Sequence, residues 1–273
     1  MVDGWQSEID LVEMADGQQC VSKKYSDAVN KNHPTFISDE WEAITFLHSK
    51  GYSVPKPIKK DGNKIYMQYI ENGPLSRIYE ISDDGLRQKQ IKDFAKLLYD
   101  LHNVDMNDAE KPNFSRFVEN ELTEIRSIVE EHNLTDYLEI LGKLEADSVN
   151  ISEQPFCYIH RDYHWWNVLS AKDGKLYLVD FVLKQGDFRF DVGWTYMMMT
   201  RNGVSVEAEA GEFFLAEYIN LKPDVRVNFK FFKQLANLRW LANVRPGEWS
   251  KKPDFWQSMI RAAESKFIEY TVV

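Results

Sequence analysis

One short stretch in the middle of the chain constrains the fold more than any other, because polar residues flank two β-prone runs there. Asp162 and Asn167 precede the first run, and Asp180 closes the second. The two runs are separated by Asp173 and Gly174, and an Asp-Gly pair between apolar runs is a strong signal for a tight β-hairpin. Such a hairpin would bring Asn167 and Asp180 side by side.

The pattern H-R-D-x-x-x-x-N, which begins at His160, predicts phosphoryl-transfer chemistry when Asp180 follows it. The transferring group carries dispersed negative charge that metal ions neutralise, and magnesium prefers oxygen ligands such as those of Asn167 and Asp180. Asp162 is then the residue that orients an acceptor hydroxyl and takes its proton. Each residue taken singly is typical of a turn or a cap, so the combination carries the prediction. His160 and Arg161 are predicted to brace the loop by hydrogen bonds.

The N-terminal part of the chain has the pattern of short strands around one helix. Residues Gln19 to Tyr25 alternate in the manner of a strand, and Lys64 to Ile70 form a second β-rich run. The pair Ser38-Asp39 predicts the start of a helix and Gly51 predicts its end. The turn-rich cluster from Glu71 to Pro74 is predicted to be a linker between two lobes.

Beyond this linker the pattern is mainly helical. Apolar residues recur at helical spacing from Ile91 to Leu101, which indicates one buried face. Further helices are predicted at Phe117 to His132, Leu134 to Leu144, Phe229 to Val244 and Phe255 to Tyr270. The sequence therefore predicts an α+β fold, with a small sheet-plus-helix lobe over residues 1–71 and a larger, mainly helical lobe over residues 72–273.

The composition disfavours several partners and compartments. The formal net charge is −10 and the sequence pI is about 5.2, whereas a nucleic-acid footprint needs clustered Lys and Arg. The two cysteines, Cys20 and Cys157, lack any C-x-x-C spacing, which disfavours disulfides and zinc. No signal-peptide pattern and no apolar run of membrane-spanning length is visible. We therefore expect a cytoplasmic protein with no nucleic-acid or membrane partner.

The loop from Ile159 to Leu169 and the strand that ends at Asp180 resemble the aminoglycoside phosphotransferases and related choline kinase-type enzymes, which share the protein-kinase-like two-lobed fold. Their loop commonly reads H-x-D-x-x-x-x-N-V-L, and a Gly-Asp-x-x-x-Asp element follows it. This chain has Gly186-Asp187 and Asp191 in that place, and its run from Leu97 to Asp105 is similar to a helix of these enzymes. The resemblance implies ATP and magnesium as cofactors and a small-molecule hydroxyl group as acceptor.

The resemblance also implies that the N-terminal lobe binds the nucleotide and that the C-terminal lobe carries the catalytic and substrate-binding residues. Lys23 is similar to the lysine that contacts the phosphates, and strand alternation favours it over Lys24. Glu40, which opens the predicted helix, is similar to the glutamate that pairs with this lysine, although the helix dipole also favours an acid there. The segment with Gln68 and Ile70 resembles the hinge, whose backbone groups would bind adenine.

The chain departs from the family pattern in several places. A G-x-G-x-x-G element over the phosphates is absent from the sequence. Trp165 and Trp166 stand where the family often has Pro-Gly, and we expect one of them to pack and the other to line the acceptor site. The sequence Asp180-Phe181-Val182 lacks the glycine of D-F-G, and no A-P-E sequence follows it, which disfavours a regulated protein kinase.

Two other functions are kept as alternatives. His160, Asp162 and His164 alternate, so on a strand they would face one metal ion, as in a metal-dependent hydrolase. That interpretation leaves Asn167 and Asp180 unexplained. A short atypical Ser/Thr protein kinase would use the same loop as a small-molecule kinase, and the chemical nature of the phosphate acceptor distinguishes the two.

The acceptor is predicted to be a small hydroxylated molecule that carries an amine, such as an aminoglycoside. An acidic protein attracts cations, and Glu207, Glu209 and Glu212 cluster on a predicted helix. The face of an aromatic residue such as Trp194 can hold a cationic ligand. Each observation also has a simpler explanation, because the glutamates would suit a solvated helix face and the indole would suit the core.

Overall fold

The fold is known from a computed structural model, which describes residues 7–14, 17–27, 31, 34–106, 115–152, 154–180, 183–200, 205–246 and 254–271. Phe181, Val182 and the side chain of Glu207 lie outside the described residues. The chain divides into two compact units. Residues 1–104 and 165–184 form the first unit, and residues 105–164 and 185–273 form the second.

The strands of the described residues form one four-stranded sheet and two small two-stranded sheets. They are β1 (Ser7–Glu13), β2 (Gln19–Tyr25), β3 (Pro57–Asp61), β4 (Lys64–Gln68), β5 (Cys157–Ile159), β6 (Val168–Ser170), β7 (Leu176–Leu178) and β8 (Lys184–Gly186). The larger sheet is antiparallel, with the order β1-β2-β4-β3. Strand β5 pairs with β8, and β6 pairs with β7 as an antiparallel hairpin.

The helices of the described residues lie mostly after the large sheet. They are α1 (Phe36–Ser49), α2 (Leu75–Ile81), α3 (Asp84–His102), α4 (Ser115–Glu131), α5 (Leu138–Ser148), α6 (Phe188–Thr200), α7 (Ser205–Leu221), α8 (Phe229–Val244) and α9 (Asp254–Thr271). Helix α8 has the predicted bounds, and α9 matches its prediction to within one residue at each end. Among the described residues, none of these helices is both long enough and apolar enough to cross a membrane.

Helix α1 begins earlier than predicted. The pair Ser38-Asp39 does not cap it, because the helix already starts at Phe36 with Thr35 before it. The apolar Ile37, which precedes the predicted start, is buried on the same helix as Ile44 and therefore extends the apolar face by one turn. The predicted end is confirmed, since the helix stops at Ser49 and Gly51 follows with φ +74°, a conformation that glycine adopts without strain.

In the first unit, backbone hydrogen bonds join the β6–β7 hairpin to the segments that follow α1 and β4. The N–H of Leu178 donates to the carbonyl of Ser53 at 2.9 Å, and the N–H of Ser170 donates to the carbonyl of Gly73 at 2.9 Å. The cluster predicted as a linker, residues 71–74, therefore lies within the first compact unit. The lobe boundary proposed at residue 71 stays a prediction.

In the second unit, α6 packs closely against α8 at Gly193. A Cβ atom at Gly193 would lie 2.9 Å from the carbonyl oxygen of Phe232 and 3.0 Å from the Cα atom of Lys233. Because the obstructing atoms belong to the backbone of α8, they cannot move aside as a flexible side chain would. The absence of a side chain at this position therefore permits the close contact between the two helices.

We expect Gly193→Ala to lower the free energy of unfolding by about 1–3 kcal/mol, the usual cost of forcing extra atoms into a packed interior. Gly142→Ala is the matched control, because Gly142 lies within α5 and a Cβ atom there meets nothing within 4 Å. Alanine at an open helix position should be neutral or stabilising by up to about 1 kcal/mol. Urea unfolding of both variants measures the difference. Equal stability of Gly193→Ala and the parent would contradict the close approach.

Candidate active site

In the first unit, a buried lysine joins two carboxylates. Lys23 lies in the middle of β2, and its Nζ atom is 2.7 Å from Oε1 of Glu40 and 2.6 Å from Oδ1 of Asp180. Only 4% of Lys23 is exposed. Lys24, its neighbour on the other face of the strand, is partly exposed and lies 3.7 Å from Glu8. The pairing of Lys23 with Glu40 that the resemblance implied is therefore present.

Glu40 was predicted to open its helix. It is instead the fifth residue of α1. Glu40 faces the sheet, where it contacts Lys23 of β2, and it is almost completely buried. Its Oε2 atom accepts a hydrogen bond from the hydroxyl of Tyr25, and its Oε1 atom accepts one from Lys23. The role of Tyr25 was missed by the sequence analysis, although its position two residues after Lys23 places both on one face of β2.

The electrostatic consequence is a lysine that holds its proton firmly. Burial by itself lowers the pKa of Lys23, but the carboxylates of Glu40 and Asp180 outweigh it and raise the pKa of Lys23 well above its usual value. For the Tyr25 hydroxyl, by contrast, burial itself raises the pKa, because it disfavours the charged phenolate. The ammonium group is thus kept charged inside the unit.

The β6–β7 hairpin brings the two predicted metal ligands to one end of the hairpin. Val168 pairs with Leu178, and the backbone N–H of Val179 donates to the carbonyl of Asn167 at 3.0 Å. Asp180, the next residue, has φ +64°, and 57% of its side chain is exposed. The predicted hairpin is therefore confirmed, with its turn at Gly174, where φ is +84°. Amide and carboxylate oxygens of this kind suit a magnesium ion.

The segment predicted as the hinge follows β4. The backbone N–H of Gln68 donates to the carbonyl of Lys56 at 2.9 Å, so this donor is already used within the fold. Ile70 lies just after the strand with a buried side chain. An adenine contact through an amide of this segment therefore has to be made beyond Gln68, and the assignment of Ile70 stays a prediction.

In the second unit, the loop after β5 carries Asp162, and the carboxylate of Asp191 on α6 holds its backbone. The N–H groups of His160 and Arg161 donate to Asp191 at 2.6 and 2.7 Å. Nδ1 of His160 accepts a hydrogen bond from the N–H of Asp162 at 3.1 Å. The prediction that His160 braces the loop is confirmed, and the bonds to the backbone explain how Arg161 maintains φ +67°.

The guanidinium of Arg161 braces the loop from another side. It forms an ion pair with Glu121 of α4, which is buried, and Arg239 of α8 lies 2.7 Å from Glu124. Burial raises the pKa of Glu121 against the opposing effect of Arg161 and Arg239. The sequence analysis missed Glu121, because an acid on an amphipathic helix has the pattern of a solvated residue until its partner is known.

Two ring nitrogens lie close to the side chain of Asp162, and the indole N–H of Trp194 donates a hydrogen bond to it. Its Oδ1 atom lies 3.1 Å from Nε1 of Trp194 and 3.2 Å from Nε2 of His164. The strand on which His160, Asp162 and His164 were to face one metal ion is not present, because β5 ends at Ile159. Within the described residues, no three His, Cys, Asp or Glu side chains are grouped as a metal site would require. The premise of the hydrolase alternative is therefore wrong.

The two tryptophans of the loop differ in exposure. Trp165 is buried, and its ring lies 5.4 Å from that of Tyr79, so the expected packing residue is Trp165. Trp166 is 38% exposed, and its predicted role in lining the acceptor site stays a prediction. Trp194, which was considered as a face for a ligand, is buried. Glu209 and Glu212 lie exposed on α7.

These elements, a small antiparallel sheet with a lysine–glutamate pair and a mostly helical remainder, define a two-lobed α+β fold of the protein-kinase-like class. Solved structures agree. The ethanolamine kinase of Plasmodium vivax has a TM-score of 0.68 and 14% identity, covering 98% of this chain and 81% of that chain. The choline kinase LicA of Streptococcus pneumoniae has a TM-score of 0.67 and 17% identity, covering 98% and 92%. An ADP-bound aminoglycoside phosphotransferase has a TM-score of 0.62 and 17% identity, covering 97% and 90%.

The sequence itself identifies the family. A model of the phosphotransferase enzyme family known as APH matches residues 11–223, which is well over half of the chain. The chain belongs to this phosphotransferase family. No curated protein sequence matches the chain.

The buried lysine makes stability depend on alkaline pH. Because the pKa of Lys23 is raised in the folded state, the ion pairs stabilise the fold fully below the unfolded lysine pKa of about 10.4, and this contribution is lost as the pH rises further. Lys23→Met should lack this alkaline component and should cost about 3–5 kcal/mol at neutral pH, since Glu40 is left buried without its positively charged partner.

Lys24→Met is the control, because Lys24 lies next to Lys23 but is partly exposed. Urea unfolding between neutral pH and about pH 11 gives the free energy of unfolding for the parent and both variants. If Lys23→Met and Lys24→Met behave alike, Lys23 does not carry the buried charge described here.

Proposed function

We propose that this phosphotransferase moves the γ-phosphoryl group of ATP, bound with magnesium, to a hydroxyl group of a small molecule. The observation that carries the proposal is the buried Lys23, which is held between Glu40 and Asp180 at 2.7 and 2.6 Å. An ammonium group has three N–H donors, and two of them are directed at these carboxylates. The third would contact a phosphate oxygen of the nucleotide. ADP in the aminoglycoside phosphotransferase structure supports the choice of nucleotide.

Magnesium fits the residues at the end of the β6–β7 hairpin. Asn167, just before β6, offers an amide oxygen. The half-exposed carboxylate of Asp180, just after β7, offers hard oxygen ligands. When bound, the metal would neutralise charge on the phosphates. Asp180 would then bind both the metal and Lys23. The bond to Lys23 would fix the position of the Asp180 carboxylate while the nucleotide binds.

Asp162 is proposed as the base that orients the acceptor hydroxyl and receives its proton. In the second unit its carboxylate is 51% exposed, so an acceptor can approach it. The kinases of similar fold act on ethanolamine and choline by their names, and both are hydroxyl compounds that carry a nitrogen. With the net charge of −10 and the exposed Glu209 and Glu212, these names support an amine-bearing acceptor such as an amino alcohol or an aminoglycoside.

The first experiment is an acceptor screen. Release of ADP from ATP is measured with choline, ethanolamine, aminoglycosides, neutral sugars and generic protein substrates. We expect transfer to at least one amine-bearing hydroxyl compound. Transfer to a protein substrate alone would favour the protein-kinase alternative instead, which lacks support from any A-P-E sequence.

Asp162→Asn should lower kcat by about 10²–10⁴-fold, the usual contribution of a positioned base, while the affinity for ATP stays close to that of the parent. Steady-state kinetics on the best acceptor and calorimetry with ATP measure the two quantities. Asp224→Asn, at an exposed position of the same unit, is the control and should keep parental turnover. A kcat within a few-fold of the parent in Asp162→Asn would remove Asp162 from the mechanism.

Asp180→Asn should weaken the binding of ATP when magnesium is present and should have a much smaller effect in EDTA, because the lost oxygen charge serves the metal. Calorimetric titrations of ATP with and without magnesium give the two affinities. Asp173→Asn is the matched control, since Asp173 lies in the turn of the same hairpin and an asparagine is compatible with that turn. Equal affinity of Asp180→Asn and the parent for magnesium-ATP would show that the metal is held elsewhere.

A further inference from the structure

One face of α6 contacts four consecutive residues of the loop that carries Asp162. Asp191 accepts the backbone N–H groups of residues 160 and 161, Nε1 of Trp194 donates to the carboxylate of residue 162, and the hydroxyl of Thr195 lies 2.9 Å from the carbonyl of residue 163. These three residues of α6 are spaced i, i+3 and i+4, so they lie on the same side of the helix. One side of the helix therefore contacts the loop at each residue from 160 to 163.

The contact from Trp194 differs from the others because it is made to a side chain, the carboxylate of Asp162, and this is the group proposed to act as the base. Both Trp194 and His164 direct a ring nitrogen at the same oxygen of Asp162, Oδ1, at 3.1 and 3.2 Å. The hydrogen bond from Trp194 and the imidazole of His164 beside the same oxygen restrict rotation of the carboxylate plane, because turning it would move Oδ1 away from both groups. Yet the side chain of Asp162 stays 51% exposed.

We propose that Trp194 and His164 are positioning residues that hold Oδ1 of Asp162 and so present its other oxygen, Oδ2, to the acceptor hydroxyl. This inference rests on the proposed function and assigns the proton-accepting atom within it. In the transfer, the acceptor oxygen bonds to the γ-phosphorus, the bond from that phosphorus to the bridging oxygen of ADP breaks, and the hydroxyl proton moves to Oδ2. Oδ1 stays beside Trp194 and His164 throughout.

The burial pattern supports a positioning role over a purely structural one. A buried tryptophan needs a hydrogen-bond partner for its Nε1–H group, and the indole of Trp194 is buried against Phe190. A backbone carbonyl would satisfy that need as well as a carboxylate does. The partner is instead a half-exposed carboxylate, which water alone could solvate. The arrangement therefore constrains Asp162 more than it stabilises the core.

The hydrogen bond can be tested without any acceptor. In the full-length protein, the ¹⁵N–¹H resonance of the Trp194 indole is identified by its loss in Trp194→Phe. We expect this resonance to shift in Asp162→Asn, and we expect its proton to exchange slowly with solvent in the parent. An indole resonance that is unchanged in Asp162→Asn and exchanges quickly would overturn the proposal, whether or not an acceptor has been found.

The kinetic test uses an acceptor found in the screen. Trp194→Phe keeps an aromatic ring but removes the indole N–H donor, and His164→Ala removes the imidazole beside Oδ1. Each should lower kcat by about 10–100-fold, because a small misplacement of the base costs about that much, with KM and ATP affinity near parental values. His164→Gln, which restores an N–H donor, should recover kcat to within a few-fold of the parent.

Trp240→Phe is the matched control, since Trp240 is another buried tryptophan of the second unit. A kcat loss in Trp240→Phe equal to that in Trp194→Phe would show that the effect arises from packing and would overturn the positioning role. Parental kcat in both Trp194→Phe and His164→Ala would overturn it as well. The two proposals can also fail separately. If the indole resonance shifts in Asp162→Asn but the protein phosphorylates no acceptor, the proposed function is contradicted, while the hydrogen bond from Trp194 to Asp162 is supported.

Discussion

A buried ammonium group shared by two carboxylates is the interaction on which the first compact unit depends. Lys23 comes from β2, Glu40 from α1 and Asp180 from the end of the β6–β7 hairpin, so three separate elements meet at one charge. Moving such a charge out of water costs on the order of several kcal/mol per ion unless partners surround it. The strand is therefore stable in this position only when helix and hairpin supply their acids, which couples the position of Asp180 to that of α1.

In the second unit, the buried carboxylate of Asp191 stabilises the loop that carries Asp162. The loop that carries Asp162 turns sharply, with φ +67° at Arg161, and its backbone N–H groups need partners that regular structure does not supply. Asp191 provides them from α6, and the side chain of Arg161 is fixed separately by Glu121. A phosphotransferase gains rate mainly from positioning and electrostatics. Each unit thus uses buried charge to hold a residue whose proposed role requires a fixed orientation.

The sequence predicted those parts of the molecule that short-range chemistry determines. The Asp-Gly turn signal gave the β6–β7 hairpin, strand alternation selected Lys23 over Lys24, and apolar periodicity located α8. It was wrong where two local signals compete. The start of α1 was placed at Ser38-Asp39 because these residues are good caps. The helix instead includes the buried Ile37 before them, so that Glu40 lies in its second turn.

The sequence by itself determined the fold class, the phosphotransferase family and the residues Asp162, Asn167, Asp180 and Lys23 as candidates, because motif spacing and local pattern carry that information along the chain. Only the tertiary structure decided which partners hold them. Tyr25 on Glu40, Glu121 on Arg161 and Trp194 on Asp162 are contacts between residues far apart in sequence. No local pattern records such contacts, since a buried polar group is recognised only when the partner that satisfies it has been brought beside it by folding.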